Sequence, residues 1–260
     1  MSFLEVEHVT KSYLVGTFLQ KKAKFEAVSD VSLSLNTGEC LGLVGESGSG
    51  KSTLGRMILG VERPSSGCII VDGTQLYGTK KIPPAIRREL QVVFQDCYGA
   101  VNPRMTAKQI IAEPLRNFQN LTKIEEHARV NELLLMVGLQ VEDGEKRPNE
   151  FSGGQLQRIN IARAIALKPR LIVLDEPISA LDAIIQVEIL HLLKQLKEQL
   201  HLSYIFISHD IQAVSFLADR IAVMHKGKII EQVTRVEELT DPQSEKILEA
   251  RLPTLLQEKI

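Results

Sequence analysis

The sequence predicts an α/β fold whose sheet is mostly parallel and whose core is interrupted by a helical insertion. Short apolar runs with charged ends, such as LIVLDEP at 171–177 and YIFISHD at 204–210, are typical of buried parallel strands. An amphipathic helical pattern over 183–200 lies between these two runs. From about residue 96 to 159, strand patterns fade and helical periodicity dominates. Strands that alternate with helices favour a parallel sheet covered by helices.

The remaining elements follow from local patterns in chain order. Alternating or apolar runs predict four early strands, at Leu4–Val9, Val31–Leu35, Leu41–Val44 and Cys68–Val71. Helical patterns cover 51–61 and 124–139, and RIAVMHKGKII at 220–230 indicates a strand pair around a glycine turn. We therefore predict a core at 1–96 and 160–230, a helical subdomain at 97–159, and a charged, mostly helical extension at 231–260.

Composition narrows the class of protein. The chain has 260 residues, enough for a full core, and its 44% hydrophobic and 24% charged residues are those of an ordinary globular protein. A net charge of −1 offers no attraction for nucleic acid, and we expect no nucleic-acid partner. Three widely spaced cysteines predict reduced thiols in the cytosol, with Cys40 and Cys68 buried. The N-terminus has no signal-peptide pattern, and no apolar run is long enough to cross a bilayer.

A phosphate-binding loop is predicted at GESGSGKST, residues 45–53. Glycines at this spacing let backbone N–H groups approach phosphate oxygens closely. In such a loop Lys51 reaches the β- and γ-phosphates and the Ser52 hydroxyl ligates Mg²⁺. A predicted strand precedes the loop and a predicted helix follows it, so we expect a nucleoside triphosphate site with Mg²⁺.

An acidic pair ends the predicted strand at 171–174. A phosphate loop needs a second acidic residue on Mg²⁺ from a neighbouring strand, and Asp175 fits that position. Glu176 beside it could polarise an attacking water. The alternative is that the pair merely caps a helix.

A second cradle for phosphate is suggested by FSGGQLQR at 151–158. Ser152, Gly153 and Gly154 stand at a predicted helix start, where backbone N–H groups are exposed and no bulky side chain intervenes. One chain thus carries two candidate phosphate sites.

Taken in order, the motifs resemble those of the nucleotide-binding subunits of ABC ATPases over nearly the whole chain. They are GESGSGKST, VVFQD at 92–96, SGGQ at 152–155, LDEP at 174–177, SALD at 179–182 and ISHD at 207–210. The resemblance implies the ABC-ATPase form of the P-loop NTPase fold, with an antiparallel β subdomain. It also implies that two subunits pair head to tail, so that SGGQ of one subunit caps the ATP held by the other.

That resemblance implies a role for each matching residue. Gln95 would sense Mg²⁺ and the attacking water, Glu176 would be the general base, and His209 would hold the γ-phosphate. Asp182 would run across the dimer interface, and Tyr13 in VTKSY would place its ring against adenine, although a tyrosine there is often a core or rim residue. The full expected ATP contacts are Tyr13, Gly45, Ser47, Gly48, Gly50, Lys51, Ser52, Thr53, Ser152, Gly153, Gly154, Gln155 and Asp182, and the Mg²⁺ ligands are Ser52, Gln95 and Asp175.

VFQDCYGAVNPRMT at 93–106 resembles the corresponding stretch in ATPases of oligopeptide, dipeptide and nickel importers, and is most similar to the second ATPase of nickel importers. Some peptide-importer ATPases carry a cysteine-rich C-terminal extension that this sequence does not show. We therefore expect an importer of nickel or a metal chelate, with peptide import as the alternative and a non-transport ABC ATPase as a further one. The implied partners are a second ATPase (a heterodimer, or a homodimer instead), two transmembrane permeases and an extracytoplasmic binding protein, at the cytoplasmic face of a bacterial membrane.

Overall fold

The computed structural model describes residues 2–15, 23–77 and 82–235, together with Glu238 and Ser244. The chain divides into two compact units. The first unit comprises Met1–Pro83 and Ser203–Ile260, and the second unit is Pro84–Leu202. The phosphate loop, Tyr13 and His209 belong to the first unit, whereas the other candidate site residues belong to the second.

The described elements alternate between strands and helices along most of the chain. In order they are β1 (Ser2–Val15), β2 (Ala23–Asn36), β3 (Cys40–Val44), α1 (Lys51–Ile58), β4 (Ser66–Val71), β5 (Thr74–Gln75), α2 (Pro84–Glu89), β6 (Leu90–Val93), α3 (Ala107–Phe118), α4 (Lys123–Met136), α5 (Gly153–Ile165), β7 (Leu171–Asp175), α6 (Ala183–Leu200), β8 (Ser203–Ile207), α7 (Ile211–Leu217), β9 (Arg220–His225) and β10 (Lys228–Val233). Short 3-10 helices cover Val141–Glu145 and Pro148–Glu150.

An antiparallel sheet in the first unit has the strand order β2-β1-β4-β5. Leu4 of β1 lies opposite Leu35 on one side and Val71 on the other, and all three side chains are buried. Alternation along β1 places Leu4 and Val6 on the buried face, with Glu5 half-buried and Glu7 exposed on the other.

Parallel strands in the same unit position the phosphate loop. β3 pairs in parallel with β8 and with β9, and β10 is antiparallel to β9. Every residue of β3 is buried, which explains its unbroken apolar sequence. Gly42 is needed there, because a Cβ at this position would lie 2.4 Å from Val214 Cγ1 on α7. The loop at 45–53 therefore begins at the carboxyl end of a central, fully packed strand.

The second unit combines a parallel strand pair with helices. β6 pairs with β7, with Val93 opposite Leu174. Helix α5 contacts α3, α4 and α6, and its apolar residues include the fully buried Leu156, Ile159 and Ile165. No helix within the described ranges of either unit is both long and apolar enough to cross a membrane.

The predicted fold class is confirmed, since parallel strands, an antiparallel sheet and a helix-rich region are all present. Sequence reasoning missed β5, α2, β6 and α7. Burial of Cys40 is confirmed, but that of Cys68 is wrong: Cys68 is only half-buried and its Sγ donates to Glu7 Oε2. The predicted subdomain bounds stay a prediction, and most of the extension at 231–260 lies outside the described residues.

Candidate functional site

Two glycines of the phosphate loop are required by close backbone contacts. A Cβ at Gly45 would lie 2.1 Å from the carbonyl oxygen of Met224, and one at Gly50 would lie 2.2 Å from that of Ala27. Gly50 also has a φ of 108°, which side chains disfavour. Gly48 has a φ of 79° but faces open space. The loop is thus wedged against neighbouring backbone at both ends and open in its middle.

Lys51 is folded over this loop. Its side chain is buried, and Nζ donates hydrogen bonds to the carbonyl oxygens of Gly45 and Glu46, both at 2.8 Å. The loop is further closed by Ser49 N–H to the Glu46 carbonyl and by Gly227 N–H to the Ser49 carbonyl. The ammonium group is therefore held within the loop itself.

The loop fits the phosphates of a nucleotide. Ser49 Oγ is buried and has no hydrogen-bond partner among the described residues, so the loop contains an unsatisfied polar atom. Gly50 is the N-cap residue of helix α1 and has no side chain to cap it. Uncapped helix starts favour anions through their N–H groups and the helix dipole. Lys51 adds a positive charge at the same point.

Tyr13 lies on β1 and is half-buried. Its hydroxyl donates to Glu62 Oε1 at 2.5 Å, and Lys11 Nζ lies 5.3 Å from its ring centroid and 3.1 Å from the same carboxylate. Burial raises the pKa of the Glu62 carboxyl, but hydrogen bonds from Tyr13 and Lys11 outweigh it and hold the pKa below its ordinary value. An ionised Glu62 therefore fixes the orientation of the Tyr13 ring.

His209 follows β8, and the phosphate loop follows the neighbouring parallel strand β3, with Leu43 opposite Ile207. Both segments therefore leave the same edge of the sheet. Asp210 caps α7 by accepting from the N–H groups of Gln212 and Ala213, and its own N–H donates to Ser208 Oγ. His209 is half-buried between the strand end and this capped helix start.

Asp175 ends β7, and Glu176 begins a tight turn with a φ of 48°. The Glu176 carbonyl accepts from Ser179 N–H at 3.3 Å and from Ser179 Oγ at 3.1 Å. The alternative that the acidic pair merely caps a helix is wrong, because the following helix α6 is capped by Asp182.

Gln95 lies two residues after β6 and is exposed. Because β6 and β7 are parallel neighbours, Gln95 and Asp175 follow adjacent strands at the same edge. This arrangement agrees with the rule that ligands bind beyond the carboxyl ends of parallel strands.

The second predicted cradle, at the start of α5, is closed by its own side chains. Ser152 Oγ accepts from Gln155 N–H at 3.3 Å, and Gln155 Oε1 accepts from Ser152 N–H at 3.0 Å, which is a capping box. A Cβ at Gly154 would lie 2.4 Å from Ile185 Cγ2 of α6, and one at Gly153 would lie 3.3 Å from Leu181 Cδ2. These glycines therefore allow α5 to approach the segment that precedes and begins α6.

Asp182 is exposed and accepts from Ile185 N–H at 3.1 Å, so it forms the N-cap of α6. Gln186 Nε2 donates to the carbonyls of Ile178 and Leu181 and holds the same loop from the other side. The loop from Glu176 to Asp182 is thus fixed by several side-chain contacts with its backbone.

Sequence reasoning missed two buried amides on α5. Gln157 Nε2 donates to the Pro177 carbonyl at 2.7 Å, and Asn160 Nδ2 donates to the Cys97 carbonyl at 3.1 Å. A detectable pattern existed, since two polar residues three apart interrupt an otherwise apolar helix face. Their partners are 20 and 63 residues away in the sequence, so local patterns do not reveal them.

Comparison with known proteins identifies the family of this chain. A family model described as "ABC transporter" matches residues 28–179. The oligopeptide transport ATP-binding protein OppF of Lactococcus lactis subsp. lactis (strain IL1403) is 47% identical over 219 residues, which are 84% of this chain and 68% of that protein. The oligopeptide transport ATP-binding protein AppF of Bacillus subtilis (strain 168) is 43% identical over 244 residues, 92% of this chain and 74% of that protein.

A solved structure shares the fold. The ATP-binding cassette MJ0796, in a dimeric post-hydrolysis state bound to ADP and Pi, has a TM-score of 0.79 and 30% sequence identity, covering 89% of this chain and 98% of that one. The family match covers more than half of this chain and includes the phosphate loop, SGGQ and LDEP. The chain belongs to the ABC transporter family, in which it is an ATP-binding and ATP-hydrolysing subunit.

Proposed function

We propose that this chain is the ATP-hydrolysing subunit of a bacterial ABC importer for oligopeptides. The observation that carries the proposal is its 47% identity to an oligopeptide transport ATP-binding protein over 84% of its length. A second relative with the same kind of name matches over 92% of the chain. These matches favour the peptide alternative over the nickel or metal-chelate substrate that the stretch at 93–106 indicated.

In this proposal the phosphate loop holds ATP. Gly45, Gly48, Gly50 and their neighbours Ser47, Ser52 and Thr53 surround the phosphates, with Lys51 at the β- and γ-phosphates. Tyr13 places its ring against adenine. Bound Mg²⁺, held by Ser52, Gln95 and Asp175, would neutralise negative charge on the phosphates.

The hydrolytic step uses side chains at the carboxyl ends of the parallel strands. Glu176 orients a water and accepts its proton, Gln95 orients the same water, and His209 donates a hydrogen bond to the γ-phosphate. The strained turn at Glu176 supports this assignment, since backbone strain of this kind is found at functional sites.

The start of α5 contacts ATP that is bound to a second ATPase subunit rather than ATP bound to its own chain. Ser152, Gly153, Gly154 and Gln155 would bind the γ-phosphate of ATP held by a second ATPase subunit, and Asp182 would lie at that dimer interface. Closure of the dimer on ATP and its reopening after hydrolysis would drive two permeases, supplied by a binding protein outside the membrane. The chain would then sit at the cytoplasmic face of the cell membrane.

The substrate proposal is tested by purifying the tagged full chain from gently solubilised membranes and identifying the proteins that accompany it. Two permeases, a second ATPase and a binding protein that takes up peptides are expected. Titration of that binding protein with Ni²⁺ and with metal chelates is the matched comparison. Saturable metal binding without peptide binding would restore the nickel assignment, and recovery with ribosomes or DNA alone would overturn the transporter assignment.

Replacement of the proposed base tests the chemistry. Glu176→Gln should lower kcat about a thousandfold, because an amide cannot accept the proton, while ATP affinity is retained. The control is Glu142→Gln, which changes an exposed carboxylate of the same unit and should leave kcat unaltered. Steady-state ATP hydrolysis and nucleotide binding are measured on each full chain. Unaltered turnover in Glu176→Gln would remove Glu176 from this role.

A further inference from the structure

The amide of Gln157 is buried and only half satisfied. Its side chain is 1% exposed, and Nε2 donates to the Pro177 carbonyl at 2.7 Å. Its Oε1 is also buried and accepts no hydrogen bond from any residue that the structure describes. Gln157 belongs to α5, four residues after Gly153, and its partner belongs to the turn that follows β7.

Packing alone does not account for this amide. The unpaired Gln157 oxygen lowers stability, and an apolar residue of similar volume would remove it but leave the buried Pro177 carbonyl without its donor. Methionine has nearly the same length and shape and would fill the same space. Methionine cannot donate a hydrogen bond to the Pro177 carbonyl. The distinctive contribution of Gln157 is therefore this hydrogen bond.

The carbonyl that Gln157 holds belongs to Pro177, the residue directly after Glu176. Glu176 has a φ of 48°, a strained value for a residue with a side chain, and it precedes a proline, which favours extended backbone instead. Such a conformation persists only where the surroundings enforce it. Ser179 holds the Glu176 carbonyl through N–H and Oγ, and Gln157 holds the next carbonyl along the chain. Hydrogen bonds to two successive carbonyls, those of Glu176 and Pro177, therefore hold the turn in place.

We propose that Gln157 is a positioning residue for ATP hydrolysis, because its side-chain amide holds the Pro177 carbonyl and thereby keeps the Glu176 turn in its strained conformation. The proposal rests on the role of Glu176 as the base. Gln157 itself touches neither nucleotide nor water in this scheme. It acts by fixing the direction in which the Glu176 side chain leaves the backbone.

The consequence for catalysis follows from geometry. Without the Gln157 bond, the Pro177 carbonyl is released and of these two residues only Ser179 still holds the turn, so the backbone at Glu176 can rotate towards the extended conformation that a following proline favours. The carboxylate then moves with its Cα. A displacement of about 1 Å of a reacting group can lower a rate about a hundredfold. Binding of ATP at the phosphate loop does not depend on this turn in the scheme above.

The test is Gln157→Met in the full chain. We expect kcat for ATP hydrolysis to fall between about tenfold and a hundredfold, with KM for ATP within about twofold of wild type. The melting temperature should fall by no more than about 5 °C, because the Pro177 carbonyl loses its donor while the unsatisfied Gln157 oxygen is removed. Gln91→Met is the matched control, since Gln91 Nε2 also donates to a backbone carbonyl, that of Arg87, and it should retain wild-type kcat.

A second measurement separates action through Glu176 from other effects. In single-turnover hydrolysis, Gln157→Met should add no further loss on a Glu176→Gln background, because the group it positions is already absent. An additional tenfold loss there, or wild-type kcat in Gln157→Met alone, would overturn the proposal. If Glu176→Gln itself hydrolyses ATP normally, the proposed base fails instead, so the two failures are distinguishable.

Discussion

The starts of helices α1 and α5 differ in how their N-termini are satisfied, although sequence reasoning assigns both to phosphate. At α1, Gly50 provides no side-chain cap and Lys51 adds a positive charge. At α5, Ser152 and Gln155 form a reciprocal capping box. One helix start thus lacks a side-chain partner of its own, whereas the other carries two.

This difference predicts which of the two helix starts binds nucleotide in the free chain. An uncapped start with an adjacent ammonium gains hydrogen bonds when an anion arrives. A start with a capping box already satisfies part of its N–H groups, so phosphate must compete with Ser152 and Gln155. We therefore expect the free chain to bind ATP at the phosphate loop, and the α5 start to engage phosphate only when a partner brings it close.

Gly50→Ala tests whether the backbone contacts at the start of α1 exclude a side chain at position 50. The new Cβ would meet the Ala27 carbonyl at 2.2 Å at a φ of 108°. We expect a loss of about 3 kcal/mol in the free energy of unfolding, from overlap and backbone strain together. Gly48→Ala, with a φ of 79° and open space around it, should lose only about 1 kcal/mol. Urea denaturation of both variants checks this, and equal losses would contradict the wedged geometry.

Lys51→Met tests which helix start holds ATP in the free chain. Removal of the ammonium should weaken ATP binding about a hundredfold, because charge-assisted hydrogen bonds to phosphate are lost. Lys108→Met removes a lysine that pairs with Glu145 on the surface and should leave ATP affinity unchanged. Calorimetric titration of the isolated chain with ATP measures both. Retained affinity in Lys51→Met would mean that ATP binds elsewhere.

The phosphate loop at the start of α1 could be predicted from the sequence. The spacing of Gly45, Gly50 and Lys51 identifies the phosphate loop, because few other structures require two glycines and a lysine at these intervals. Helix α6 was predicted at its observed bounds, Ala183–Leu200, because its amphipathic periodicity is long. Strong local patterns were sufficient in both cases.

The remaining features depend on contacts between distant parts of the chain. β6 has only four residues and follows a charged helix, so its apolar pattern is too short to recognise. The positive φ of Glu176 is enforced by Ser179 and Gln157, and no local propensity predicts it for a glutamate. The sequence showed that Gln157 is helical, but only the structure shows which carbonyl its amide holds.

Ser152→Ala tests the capped helix start and has the smallest expected effect on the free chain. Loss of the N-cap should lower the free energy of unfolding by about 1 kcal/mol and leave ATP affinity of the isolated chain unchanged. Thr122→Ala is the matched control, because Thr122 and Glu125 form the same capping box at the start of α4. The two variants should lose similar stability in urea denaturation.

Ser152→Ala and Thr122→Ala should differ in their rate of ATP hydrolysis in the assembled transporter. There Ser152→Ala should slow ATP hydrolysis, since the α5 start of one subunit would contact the phosphate held by the other, whereas Thr122→Ala should hydrolyse ATP at the wild-type rate. Weakened ATP binding by isolated Ser152→Ala would contradict the contrast between the two helix starts. If both variants hydrolyse ATP normally in the assembly, the α5 start is only a capped helix and contributes no phosphate contact.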